Sequence, residues 1–368
     1  MHKLFRLAAL GVAAVAMPML LAGCGPTPQS IALVGSDTTV GVMGNLANFY
    51  NTHTGSNQPN ANSDTVTNVL PVLASGQSQA VPGDNQCGAF SYSNPGNLPP
   101  NGSSAGISAL TGDGTNCNVD MARSSRGRSG TDPSTIDFYA YAIDAVSWAH
   151  YSGGNAPSNL TQAQLQGIYL CTNGGNPTIT NWNQVGGANG AIVRYLPQTG
   201  SGTLSFFETK ILGLSSAQQG VLDDSSCNVH PIRIEENSGN QVAAGDKPNA
   251  ILPYSFANWT AQSNGISPDI RGGAVLGSIN GVAPSTTTIS NGTFFGRRYV
   301  YNVIKQSDKS LAAAINFAGV DSTHNGWMCN GNSQVGFTLL AFGFTPLPMA
   351  PAGPGLPNSS CRKNPTPL

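Results

Sequence analysis

Charge is what this sequence has least of. Only 9% of its 368 residues are charged, 16 basic and 17 acidic, for a formal net charge of −1; roughly a quarter is usual in soluble domains. Without a basic excess there is no electrostatic footprint for nucleic acid, and none is expected as a partner. The 45 Gly and 25 Pro together stay under the roughly 25–30% share that marks low-complexity disorder. Hydrophobic residues make up 39%, enough for a sizeable core. Neither Cys-x-x-Cys nor His-x-x-x-His spacing occurs among the seven Cys and five His, so no metal site or other cofactor is expected. After residue 21 no run of about 18 apolar residues is left to span a membrane.

The N-terminus carries an address. Lys3 and Arg6 precede an apolar stretch, Leu7 to Leu21, followed by Leu21-Ala22-Gly23-Cys24. This resembles a bacterial lipoprotein signal, in which the cysteine becomes the lipidated first residue. Residues 1–23 are therefore expected to be a cleaved signal peptide and Cys24 the lipidation site. The protein is expected to be exported and held at the outer face of the cell membrane by its lipid. Loss of Lys3 and Arg6, with no acid, moves the formal charge from −1 to −3. Six cysteines remain, Cys87, Cys117, Cys171, Cys227, Cys329 and Cys361, and an even count outside the cytoplasm favours disulfides.

Strand and helix signals alternate along the rest, which argues for an α/β fold. Residues 24–30 form a polar linker, and Ile31-Ala32-Leu33-Val34 reads as a buried strand. The apolar spacing from Val40 to Tyr50 predicts a helix. Helices are also expected from Ile107, from Leu160 to Tyr169 with Thr161 as cap, and from Ser310 to Ala318. Strands are expected at 119–122, 138–149, 191–196, 250–254, 298–304 and 335–344. The Pro-rich tail from Thr345 should be extended and pinned back by Cys361.

Three times a Gly/Ser/Thr loop lies between strand and helix signals, at 35–39, 102–106 and 200–203, and a fourth Ser-rich strand end lies at 123–127. Such loops aim backbone N–H groups and hydroxyls at one spot and bind anions without needing lysines. Glu235-Glu236 suggests paired carboxylates, but neighbours on a strand point to opposite faces, so a solvated or capping role is expected. The hydroxyl loops have no evident general base, and the chain is not expected to be an enzyme.

The order of these loops, together with Leu160-Thr161-Gln162-Ala163-Gln164-Leu165-Gln166-Gly167-Ile168-Tyr169 and the downstream Ile179 and Trp182, resembles the phosphate-binding subunit of bacterial phosphate ABC transporters. The resemblance runs from about Ile31 to Phe344. It implies a two-lobed type II periplasmic-binding-protein fold with two crossover hinge strands, near 138–144 and 251–255. Residues 31–140 and 253–345 would form lobe I, 141–252 lobe II, and 346–368 the tail. It also implies a monomer that captures a small anion, phosphate first, and docks on an ABC permease. Another small anion, a phosphorylated metabolite, or a surface interaction protein that has lost transport are the alternatives. Neighbour pairing of the cysteines (Cys87–Cys117, Cys171–Cys227, Cys329–Cys361) would keep each bond inside one lobe.

Position by position, the resemblance implies ligands at Thr38 and Thr39, Ser103, Ser125, and Ser201, Gly202 and Thr203. Two departures stand out. Ser125 occupies the position of the family's aspartate, which accepts the proton of hydrogen phosphate, and Pro197 occupies that of its arginine. Asp37 is a candidate replacement acceptor, Arg123 and Arg126 are candidate cations, and Ser104 is a further candidate hydroxyl.

Overall fold

The computed structural model describes residues 28–368 other than 84–86, 113–118, 216–217, 219–221, 223–226 and 354. The expected signal peptide, Cys24 and Cys117 lie outside the described residues.

Among the described residues one sheet of 11 strands organises the molecule. Its main order is Thr65–Asn68, Ser30–Gly35, Met121–Ser124, Arg297–Lys305, Ile136–Tyr151, Ala250–Ser255, Val193–Pro197 and Ile232–Ile234. The first three run parallel to one another, and so do the last three. Two antiparallel strands join the groups: Arg297–Lys305 pairs with Met121–Ser124 and with Ile136–Tyr151, and Ala250–Ser255 pairs with the far end of Ile136–Tyr151.

Ile136–Tyr151 is the shared element. Its 16 residues reach about 50 Å at a strand's rise of roughly 3.3 Å per residue. Lys305 to Arg297 lie opposite Ile136 to Ala145, and Ser255 to Leu252 opposite Val146 to Ala149. All but His150 of its residues are buried, which explains an apolar run with little alternation: both faces are covered. Phe138 and Trp148, Tyr139 and Tyr141, and Ala149 and Tyr151 belong to three different core clusters.

The helix Asp37–Thr52 buries Thr38, Thr39, Val42, Met43, Leu46, Ala47 and Tyr50, the spacing of a single face. The segment around Tyr169 and Trp182 also has a structural explanation. Thr161 and Gln164 form a capping box. The Tyr169 hydroxyl donates to the carbonyls of Tyr195 (3.1 Å) and Ile251 (3.2 Å), and Trp182 Nε1 to that of Asn249 (3.1 Å). These residues lock the helix Gln162–Tyr169 onto the strands that end at the site described below.

Cys171–Cys227 and Cys329–Cys361 are bonded, and Cys87 is disulfide-bonded. The tail is extended: Thr345–Pro346 and Arg362–Lys363 both pair with Ile136–Tyr151. One expectation fails. Residues 335–344 do not form a strand; Ser333–Ala341 is a helix. Asn332 caps it by accepting from the N–H of Gln334 at 2.9 Å. Its buried residues Val335, Thr338 and Leu339 follow helical spacing, which the density of apolar residues conceals. No helix among the described residues is long and apolar enough to cross a membrane.

Candidate functional site

Loops that leave the carboxyl ends of parallel strands are the usual ligand-binding edge of an open α/β sheet. Four such loops meet here. Ser36 and Asp37 follow Ser30–Gly35, Ser125 follows Met121–Ser124, Gln198 follows Val193–Pro197, and Glu235 follows Ile232–Ile234. Arg298 opens the antiparallel strand Arg297–Lys305 and reaches the same edge.

A carboxylate lies at the centre. Glu236 is 4% exposed. Its Oε1 accepts from the Thr38 N–H at 2.7 Å and from the Thr38 hydroxyl at 2.6 Å. Its Oε2 accepts from the Ser201 hydroxyl and, at 3.4 Å, from the Thr203 N–H. The Thr38 and Thr203 hydroxyls are 3.1 Å apart. Arg298 Nη2 donates to both, at 3.2 and 3.0 Å. Its Nε and Nη2 also donate to Asp144 Oδ2, at 3.0 and 2.8 Å. Asp144 is tied in turn to the strand Ala250–Ser255 by the Ser255 hydroxyl (2.9 Å) and to the helix after it by the Ala257 N–H (3.0 Å). Two loops therefore surround two carboxylate oxygens with donors, the environment an oxyanion requires, and the buried guanidinium holds two of the hydroxyls from behind.

The serines lie directly behind. The Ser125 hydroxyl bonds with those of Ser36 (3.1 Å) and Ser103 (3.3 Å), and the Ser125 N–H donates to Ser103 Oγ at 2.9 Å. Gly202 packs against them so closely that a Cβ there would lie 2.3 Å from Ser103 Oγ and 2.4 Å from Ser125 Oγ. That contact demands glycine. Gly102 has φ +94°, and the next loop approaches it just as closely: its Cβ would fall 2.5 Å from the Gly200 carbonyl oxygen. Around the rim, Gln198 Nε2 donates to Asp37 Oδ2 (2.8 Å) and Asn101 Oδ1 (2.9 Å). Asn101 Nδ2 donates to the Glu235 carboxylate at 3.1 and 3.2 Å.

Thr38, Ser103, Ser125, Ser201, Gly202 and Thr203 thus come together as expected. Thr39 does not join them: it is buried on the helix face that enters the core, with its hydroxyl beside that of Tyr141. Arg123 is not a cleft cation either. It is fully buried beneath the first loop and donates to the carbonyls of Leu33 (2.6 Å), Val69 (2.8 Å) and Gly35 (3.1 Å). Arg126 pairs with Asp132 at 2.7 Å and donates to the Ser104 hydroxyl at 2.9 Å, which leaves both at the rim. Residues 102–106 also match the Gly-x-Ser-x-Gly spacing of a nucleophile elbow, but Ser104 faces Arg126 and not a base.

Two central residues escape sequence reasoning. Glu236 does cap N–H groups, yet it is buried in the site instead of solvated. Arg298 brings a guanidinium to the same edge from a strand about a hundred residues downstream of Pro197. A site built on hydroxyls and N–H groups alone is therefore too sparse a description. In a chain this poor in charge, any charged residue beside a strand end at the loop-bearing edge is the signal to follow.

The field of the site is set by carboxylates. Burial, then Glu236 and Glu235, hold the Asp37 carboxyl well above the ordinary range, only partly offset by Arg123 and Gln198. Burial lowers the Arg123 guanidinium to about 10, with Asp37 opposing the shift. No group of three or more His, Cys, Asp or Glu side chains among the described residues could hold a metal ion.

A family model described as a PBP superfamily domain matches residues 53–312. The structure is similar to that of an ABC-type phosphate transport receptor from Vibrio cholerae, with TM-score 0.54 and 19% identity over 86% of this chain and 99% of that one. It is also similar to a Clostridium perfringens protein described as a phosphate ABC transporter substrate-binding protein and solved with phosphate bound. There the TM-score is 0.55 and the identity 18%, over 87% of this chain and 100% of that one. No curated protein matches the sequence. The mixed α/β architecture with its curled sheet is the type II periplasmic-binding-protein-like fold that the loop order implied.

Proposed function

The chain belongs to the PBP superfamily, and on that premise we propose that it is an exported, lipid-anchored solute-binding protein that captures an oxyanion, inorganic phosphate first, for an ABC importer. One observation carries the ligand class: the Thr38 N–H and hydroxyl, the Ser201 hydroxyl and the Thr203 N–H converge on two oxygens of one carboxylate, with Arg298 one hydrogen bond away. The same donors fit two oxygens of a tetrahedral oxyanion. Phosphate is preferred because the Vibrio cholerae receptor is named for its transport and the Clostridium perfringens protein holds it. In this reading residues 31–140 and 253–345 form one lobe and 141–252 the other. The paired strands Ile136–Tyr151 and Ala250–Ser255 act as hinge, and the monomer closes on its solute and docks on the permease.

The test is calorimetric titration of the mature chain with phosphate, sulfate and arsenate near pH 7. Binding of phosphate that Ser201→Ala weakens about tenfold, the worth of one hydrogen bond of about 1.4 kcal/mol, supports the reading. Absence of binding to all three anions, by this chain and by the Glu236 variants below, rejects it. The anchor is tested separately: Cys24→Ser should release the protein from the cell surface.

A further inference from the structure

Glu236 fills the site from within. The loop bearing it is fixed on its far side, so the carboxylate does not hang there loosely. Its own N–H donates to Gln198 Oε1 at 2.8 Å. The next residue, Asn237, has φ +60°, in the left-handed region that reverses the chain sharply. Asn237 Oδ1 accepts from the Ser255 N–H at 2.9 Å, and its carbonyl accepts from Gln262 Nε2 at 3.1 Å and from the Tyr254 hydroxyl. The side chain thus extends from a loop anchored on the strand Ala250–Ser255 towards Thr38, in the helix that follows the opposite group of parallel strands.

Each oxygen of the carboxylate serves a different part of the chain. Oε1 holds Thr38, and Oε2 holds Ser201 and Thr203. An anion arriving at these donors would find them saturated and would face a like charge. A carboxylate placed so cannot be a bystander to anion binding.

We infer that Glu236 is an internal ligand: it takes the anion's place when no solute is bound, latches the two groups of strands together, and is displaced by the incoming oxyanion. The identity of the competitor rests on the function proposed above; the latch does not. Apparent affinity is then the intrinsic affinity reduced by the fraction of molecules in which the site is free of Glu236. The same device would keep the cleft closed without cargo.

The test compares the full mature chain with Glu236→Ala and Glu236→Gln by phosphate calorimetry and by small-angle scattering in anion-free buffer. Glu236→Ala should bind phosphate at least tenfold more tightly than the wild type. Without phosphate it should show a larger radius of gyration than the wild type, and it should contract on adding phosphate. Should the alanine variant fold poorly, the near-isosteric glutamine, which carries no charge and turns one acceptor into a donor, should still bind more tightly than the wild type. Equal or weaker binding by the folded variants with an unchanged radius overturns the inference while leaving the anion-binding reading standing. It would make Glu236 either a static cap or a contact to the solute. Expansion of Glu236→Ala without binding of phosphate, sulfate or arsenate supports the latch and rejects the phosphate reading.

Discussion

Thr38 and Glu236 lie 198 positions apart in sequence and share two hydrogen bonds through one carboxylate oxygen, at 2.7 Å from the N–H and 2.6 Å from the hydroxyl. The same donors should grip a phosphate oxygen once Glu236 is gone. In a Glu236→Ala background, Thr38→Val removes the hydroxyl but keeps the N–H and the shape. A hydrogen bond to a charged group is worth about 1.5–3 kcal/mol, so phosphate binding should weaken about 10- to 150-fold by calorimetry. Thr39→Val, whose side chain faces the core, should change the affinity less than twofold.

Asp144 and Arg298 form a buried pair 2.8 Å apart, with side chains 0% and 2% exposed. Removing one partner of such a pair strands a charge and costs about 3–5 kcal/mol. Asp144→Ala should lower the unfolding free energy by that amount in denaturant titrations. Adding Arg298→Met should restore much of the loss. If the double variant is no more stable than the single, the pair is not what the second substitution relieves.

Asp37 gives the site a pH signature. Its carboxyl is raised by burial first and then by Glu236 and Glu235, whereas in the unfolded chain it titrates near 3.9. The native state therefore keeps a proton that the unfolded state has lost. The stability tied to this group is complete below about pH 4 and is lost as pH rises towards the native value. Asp37→Asn cannot ionise. Thermal melts between pH 4 and 8 should show its Tm gaining on that of the wild type as pH rises; a constant offset contradicts this origin.

The Cys329–Cys361 bond, with a sequence separation of 32, ties the tail to the core beside Met328. Replacing both cysteines with alanine should cost about 2–4 kcal/mol. It should also raise amide exchange at Arg362 and Lys363, whose strand pairs with Tyr139 and Ala140. Unchanged exchange there would show that pairing alone holds the tail.

The architecture was largely legible because its signals are local. The helix at Asp37–Thr52 shows its spacing, Thr161 its capping box, and the two described disulfides follow neighbour order. Residues 335–344 misled because a dense apolar segment carries no clear period, and the Asn332 cap lies before it. The hydroxyl half of the site was legible for the same local reason. Its charged half was not: Glu236 and Arg298 each gain meaning from a partner brought close only by the sheet, Thr38 for the first and Asp144 for the second. Arg123 shows the converse. A cation next to a serine loop suggests an anion ligand, but full burial gave its donors to carbonyls of the neighbouring strand and loop.

The most direct measurement is a crystal structure of the wild-type protein grown with phosphate. The expected result is a phosphate held by the Thr38 N–H and hydroxyl, Ser201, Thr203 and Arg298, with the Glu236 carboxylate moved away from them. Glu236 still bonded to Thr38 and Ser201, with phosphate bound elsewhere or not at all, would contradict it.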